Sequence, residues 1–354
     1  MNLCRFNLWL SLLVLACPTP FALGQKKQDR PRPPNEIEAA IQRDPANPKL
    51  YIELGLAYWD KNDSPRALEA FQQAVKAGPR SAEAHNWLGV AIMEKADLPG
   101  AIAEFRKTVS LDPKYARAYL NLGSALGKSG ELEESIQSFQ RALALEPNSL
   151  AAHVDLGVAL AEKGDTKGAL IHLRRVARAE PNNPDIHYQL GQTLRQGDDL
   201  EAAVAEFEKA VELNPELREG YYGLGLALKQ QGALVRKPTL SSSPADEGFK
   251  RAQEAMAKGD LNLAKEQLLG ALRADNNHPD AHNLLGYVLG QQGDLEFAIN
   301  HLRRAIEISP AFGDAHYNYG VALWYSGSKT LHFPSCGRAF GLIPHRARIM
   351  RSSA

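Results

Sequence analysis

An all-α solenoid interrupted by one linker is the fold this sequence predicts, and three tracks of residues in register predict it. Gly55, Gly89, Gly123, Gly157, Gly191 and Gly225 follow one another at steps of 34 residues, and the step returns at Gly286 and Gly320. Ala67, Ala101, Ser135, Ala169 and Ala203 form a second track, resuming at Ala264 and Ala298. Pro45, Pro79, Pro113, Pro147, Pro181 and Pro215 form the third, resuming at Pro310. A fixed interval of this size marks stacked supersecondary units, none of which can bury its apolar side without a neighbour.

Each unit reads as two amphipathic helices, A and B, with apolar residues three and four apart. In the third unit Tyr119, Leu122 and Leu126 share one face of helix A, and Ile136, Phe139, Ala142 and Leu143 share one face of helix B. The small residues of the first two tracks let helix A approach its own helix B and the next helix A. Gly130-Glu131, Gly164-Asp165, Gly259-Asp260 and Gly293-Asp294 read as a helix stop followed by an N-terminal cap. Ser64-Pro65 offers the same start in another form. Proline after each helix B, as in Asp112-Pro113, prevents the helix from continuing.

Tyr51-x2-Leu54-Gly55-x2-Tyr58, then Ala67-x3-Phe71, then Pro79, resembles the tetratricopeptide repeat pattern. Later units keep it loosely, as in His85/Leu88/Gly89, Tyr119/Leu122/Gly123 and His282/Leu285/Gly286. The resemblance covers roughly residues 48–327. It implies a right-handed superhelix of helix-turn-helix units with a concave surface lined mainly by A helices, which is a surface for binding.

The ends and the joints differ from the array. Arg5 and the apolar run Phe6–Ala16, followed by Ala22-Leu23-Gly24, read as a signal peptide over residues 1–24. Exported, periplasmic or extracellular, is therefore the expected location. Val14-Leu15-Ala16-Cys17 also resembles a lipobox, which would anchor an envelope lipoprotein through Cys17 and bring in a membrane. Cleavage after Gly24 leaves Cys336 alone, which excludes a disulfide framework.

A Pro-rich, charged linker at 25–35 precedes an N-terminal array at 36–231. Its units lie near 48–81, 82–115, 116–149, 150–183 and 184–217, with a half-unit at 218–231. Gly225 to Gly286 is 61 residues, seven short of two periods. Residues 232–247, with Ser241-Ser242-Ser243-Pro244, have linker composition where helix B of the sixth unit belongs. That break reads as decay of the repeat or as a hinge. Further units occupy 248–327 and an aperiodic basic tail follows at 328–354. The last unit lacks its helix B, so Trp324, Tyr325 and their neighbours are expected to lose their cover. A disordered tail, a docking segment and an altered end of a longer chain all fit.

Charge and motifs narrow the function. Basic and acidic residues balance at 41 each, with no basic stripe in the array, which removes the electrostatic case for nucleic acid. His85, His153, His187, His282 and His316 all take the fourth position of helix A, where the family places a large packing residue. Successive A helices stand roughly 10 Å apart, whereas zinc holds its nitrogen ligands at about 2 Å. No metal or cofactor is expected. No nucleophile elbow, phosphate loop or H-E-x-x-H motif is present, so no catalytic residue is assigned.

Binding in the groove remains. The family's carboxylate clamp would need Lys at the fifth and Asn at the ninth position, and neither pattern occurs. An asparagine ladder at the sixth position survives only at Asn121 and Asn318. Aromatics stand out instead, among them Tyr188, Tyr222, Phe249, Tyr287, Tyr317 and Trp324, with Trp59 near the entrance. Asn86, Asn121, Tyr188, Tyr222, Tyr287 and Asn318 are the candidate peptide-binding residues. The expected function is a non-catalytic scaffold that binds protein or peptide segments. Its rivals are the recognition arm of a larger enzyme, such as a glycosyltransferase, and a lipid-anchored envelope assembly factor.

Overall fold

The computed structural model describes residues 32–232 and 243–327. The expected signal peptide, most of both expected linkers and the expected basic tail lie outside the described residues. Among the described residues there are seventeen α-helices and no strand, an all-α repeat solenoid. They fall into two compact units that part after Val176.

In the first unit α1 (Pro34–Arg43) packs on α2 (Pro48–Trp59). The A–B pairs that follow are α2 with α3 (Ser64–Ala77), α4 (Ala82–Glu94) with α5 (Leu98–Leu111), and α6 (Ala116–Ser129) with α7 (Leu132–Leu145). After these come α8 (Leu150–Lys163) and α9 (Thr166–Ala179). In the second unit α10 (Pro184–Gln196) pairs with α11 (Leu200–Leu213), and α12 (Arg218–Gly232) follows. After residue 242 come α13 (Pro244–Ala257), α14 (Leu261–Ala274), α15 (Pro279–Gln292), α16 (Leu295–Ile308) and α17 (Gly313–Gly327).

The three sequence tracks have three physical jobs. A glycine of helix A faces the residue sixteen places later in helix B: a Cβ on Gly89 would lie 2.7 Å from the Phe105 ring, and one on Gly157 would lie 2.8 Å from Leu173. Phe71, Phe105, Phe139 and Phe207 are fully buried in this notch, each worth about 2–3 kcal/mol of apolar burial. The alanine track lies within the same seams, with Ala67, Ala101, Ala169 and Ala203 buried. Its one exception is Ser135, whose buried hydroxyl donates to the Gly123 carbonyl at 2.7 Å.

The proline track supplies acceptors. Nε2 of His85, His153, His187 and His316 donates to the carbonyl six residues earlier, on Pro79, Pro147, Pro181 and Pro310 respectively. Tyr51 does the same to Pro45 through its hydroxyl. At these positions the fourth residue of helix A therefore tethers its repeat to the end of the preceding one, a role beyond packing.

Caps and turns largely follow the chain's chemistry. Gly130, Gly164, Gly259 and Gly293 adopt positive φ at the A–B turn. The same turn in other repeats is made by Asn62, Ala96 and Asp198, also at positive φ. The start of α3 is capped by Asp63, which accepts from the Arg66 amide, so the cap lies one residue before Ser64. Glu131 and Asp294 stand at N-caps without a side-chain cap bond, whereas Asp260 accepts from the Leu263 amide. The Ser243-Pro244 pair read as linker is a helix start: Ser243 and Asp246 form a capping box for α13.

The second unit holds the largest departure from a simple array. Among the described residues no helix B pairs with α12, and α17 packs directly against it. Both are A helices, and both use the track glycine at the seam. A Cβ on Gly225 would lie 2.7 Å from Cα of Tyr317, and one on Gly320 would lie 2.7 Å from the amide nitrogen of Tyr222. Tyr222 and Tyr317 meet with ring centroids 4.9 Å apart. The Arg218 guanidinium sits 5.2 Å over the Trp324 ring, and Lys229 bonds Asp314 at 2.6 Å. The apolar face expected to lie open at the last helix is thus largely covered: Tyr319, Ala322 and Leu323 are buried, and Trp324 keeps 40% of its surface exposed. For the same reason α10–α12 group with α13–α17, and the compact boundary falls after Val176 instead of at the linker.

Candidate functional site

In the first unit the A helices α2, α4, α6 and α8 contact one another in succession and form one face. On it Nδ2 of Asn121 donates to Oδ1 of Asn86 at 2.9 Å. Asn86 is only 1% exposed. Beside this pair, Asp155 of α8 faces Ser124 and Lys128 of α6; burial pushes the Asp155 carboxyl up to about 7 against the pull of Lys128 and Ser124. Burial in turn lowers the Lys128 ammonium, with Asp155 opposing. At the α2–α4 end, Trp59, Ser64, Ala67, Ala91, Glu94 and Lys95 line a cavity of about 110 Å³. Burial raises the Glu94 carboxyl there, against a hydrogen bond from Trp59.

The second unit repeats the asparagine pair and adds aromatics. Nδ2 of Asn318 donates to Oδ1 of Asn283 at 2.9 Å, the same fifth-to-sixth position bond seen at Asn86 and Asn121. Tyr188 accepts at its hydroxyl from Gln192 at 2.8 Å and leans on Phe207 at 6.0 Å. Tyr188, Tyr222 and Tyr317 hold equivalent positions on α10, α12 and α17. The Tyr317 hydroxyl is pushed up to about 12, by burial first and then by Tyr222. Lys229 stands 5.0 Å over the Tyr317 ring, which places one cation at the edge of this aromatic row.

These positions sort the candidate residues. Asn86 and Asn318 are buried beneath the amide bonds they share, so they tie neighbouring A helices together and are withdrawn from direct contact with a partner. Asn121 and Tyr188 are half-buried, and Tyr222 is 40% exposed. Tyr287 packs against the α13–α16 core. Sequence reasoning missed the partners nineteen residues beyond the histidines. Nδ1 of His85 and His187 faces Glu104 and Glu206 at 2.6 and 2.7 Å. Nδ1 of His153 and His282 instead faces Nδ1 of His172 and His301 at 2.8 and 2.9 Å. The signal was available as one more residue track at the same period.

Among the described residues, no group of three or more His, Cys, Asp or Glu side chains is arranged to hold a metal ion. No described helix is long and apolar enough to cross a membrane.

The profile described as Tetratricopeptide repeat matches residues 52–116 and 120–184. The profile described as TPR repeat matches residues 191–232 and 290–327. The chain belongs to the tetratricopeptide repeat family, and its architecture is that of a protein-interaction scaffold. Solved structures similar to it include YrrB, described as a TPR protein with an unusual peptide-binding site. That match is 23% identical, covering 52% of this chain and 95% of that one, with a TM-score of 0.47. A MamA structure is 28% identical, covering 46% of this chain and 95% of that one, with a TM-score of 0.43. Yeast Tom70 is 16% identical, covering 83% of this chain and 58% of that one, with a TM-score of 0.43.

Proposed function

We propose that this chain is a non-catalytic scaffold that binds protein or peptide segments on the faces formed by its A helices. The observation that carries this reading is the aromatic row of the second unit. Tyr222 stays 40% exposed on Tyr317, with Tyr188 at the equivalent position on α10. Amphipathic rings held rigidly beside a cation are efficient anchors for an extended or helical segment. Asn121 and Asp155 supply the polar counterpart in the first unit. Selection of peptides from a displayed random library on the immobilised chain tests this. Selected peptides are expected to lose at least about tenfold in affinity on Tyr188→Ala or Asn121→Ala, about 1.4 kcal/mol. Unchanged affinity in both variants removes the A-helix faces from the reading.

The N-terminal segment supports export as the second part of the proposal, with residues 1–24 removed on the way. Mass spectrometry of the mature protein decides it. Gln25 as first residue supports export by signal cleavage, a lipid on Cys17 supports an envelope anchor, and an intact Met1 counts against both.

A further inference from the structure

Two helix C-termini border the cavity of about 110 Å³ at the α2–α4 end of the first unit. Trp59 is the last residue of α2 and Glu94 the last of α4, and each such terminus carries about half a negative charge. Helix α3 starts at Ser64 on the same cavity, but its N-terminal amides already have an acceptor in the Asp63 side chain. The Glu94 carboxyl takes a hydrogen bond from Trp59 and is raised by burial; no cation of the chain acts on it among the described residues. Lys95 lies exposed at the rim. The Trp59 ring is braced by Phe71 and Trp87, with centroids 5.6 and 6.3 Å away, so the indole is a fixed wall. Ala67 and Ala91 are the buried, apolar part of the lining.

Size and chemistry select the occupant. A cavity of about 150 Å³ takes a benzene ring, so 110 Å³ holds roughly four or five heavy atoms. A carboxylate and the electron-rich face of an indole both attract positive charge. They are poorly matched to a cation rich in N–H groups. An ammonium brings three donors and a guanidinium five, whereas the lining offers the Glu94 carboxylate and the Ser64 hydroxyl as side-chain acceptors. A fully alkylated nitrogen carries the same charge with no donor left to satisfy. We infer that this cavity binds a methylated ammonium head, its charge beside Glu94 and its methyl groups against Trp59, Ala67 and Ala91. Small quaternary solutes and methylated lysine side chains both carry such a head. The site does not depend on peptide binding along the A-helix faces.

Titration of the full, isotopically labelled chain with choline tests this, followed through the Trp59 indole N–H resonance, which Trp59→Phe assigns. Dimethylbutanol, the uncharged carbon isostere of choline, is titrated alongside. Choline should shift the resonance saturably, with a Kd on the order of 1 mM for so small a ligand. It should bind at least about tenfold more tightly than the alcohol. Glu94→Gln, at an exposed position, should weaken choline at least about tenfold and leave the alcohol within about twofold. A peptide bearing one trimethyllysine is the second probe. Affinity at least about tenfold above that of choline assigns the site to a modified protein partner, and a smaller difference assigns it to a free solute. No saturable shift with either probe overturns the proposal, as does equal binding of choline and the alcohol. A choline response indifferent to Glu94→Gln overturns it as well, by placing the cation elsewhere.

Discussion

Nδ1 of His153 lies 2.8 Å from Nδ1 of His172, and the bond has one direction. The proton of His153 is committed on Nε2, which donates to the Pro147 carbonyl. The His153 Nδ1 lone pair must then accept from His172. His282 and His301 repeat the arrangement, with Nε2 of His282 on the Asn276 carbonyl. A further proton on Nδ1 of His153 or of His282 sets two N–H groups against each other.

Acid should therefore weaken these repeats. Burial lowers His153, His172, His282 and His301; His172 and His301 are lowered further by their histidine partners. With folded values below the unfolded one of about 6.5, the unfolded chain binds more protons in between. Their stabilisation is complete above about pH 6.5 and is lost as pH falls through the folded values. His172→Glu with His301→Glu copies the His–Glu pairing of His85 and His187. The drop in Tm between about pH 7.5 and 5.5 should become smaller by roughly 2–5 °C, as calorimetry would show. An identical drop in wild type and variant would rule the pairs out as its source.

Asp155 predicts the opposite sign. Its folded value of about 7 lies far above the unfolded carboxylate near 3.9, so folding is penalised progressively as pH rises and fully above 7. Asp155→Asn should stabilise the chain by about 1–3 kcal/mol near pH 8, since each tenfold change in proton affinity on folding is worth about 1.4 kcal/mol. Near pH 3.5 it should change little, because both states then hold the proton. Urea unfolding at the two pH values measures the difference.

Ala96 holds φ 61° where other repeats place glycine at the turn. A left-handed conformation costs an alanine about 1–2 kcal/mol, of which glycine's extra freedom in the unfolded chain takes back roughly 0.5–1. Ala96→Gly is therefore expected to gain about 0.5–1 kcal/mol in urea unfolding. Gly130→Ala, at φ 90° with open space around it, should lose a similar amount.

Gly225→Ala should cost about 1–3 kcal/mol by overpacking, because the new methyl would meet the Tyr317 backbone, which has no rotamer by which to move aside. Hydrogen exchange locates the effect: protection should fall over α12 and α17 and hold over α4 and α5. Uniform loss would mean that the seam does not concentrate the strain.

Period legible in the sequence became structure wherever one repeat touches the next. The Gly89–Phe105 notch and the buried Leu122, Ile136 and Phe139 all follow from spacing. The Ser243–Asp246 capping box was legible too, but the run of serines before it reads as linker. Pairing of α12 with α17 was not legible, since periodicity encodes neighbours along the chain and these helices are joined across two intervening A–B pairs. The site divided in the same way. Aromatic positions were readable, whereas the burial of Asn86 and Asn318 depends on which amide lies over which, and composition does not carry that.

A linear array of repeats can grow from any starting point, one hairpin at a time, because each step closes only a short loop. The α12–α17 seam adds a closure spanning the whole of α13–α16, whose entropy must be spent before any of its contacts form. Refolding of the second unit should accordingly contain a late, slower step that the zipping of neighbouring hairpins does not explain, and the final helix should be the last to become ordered.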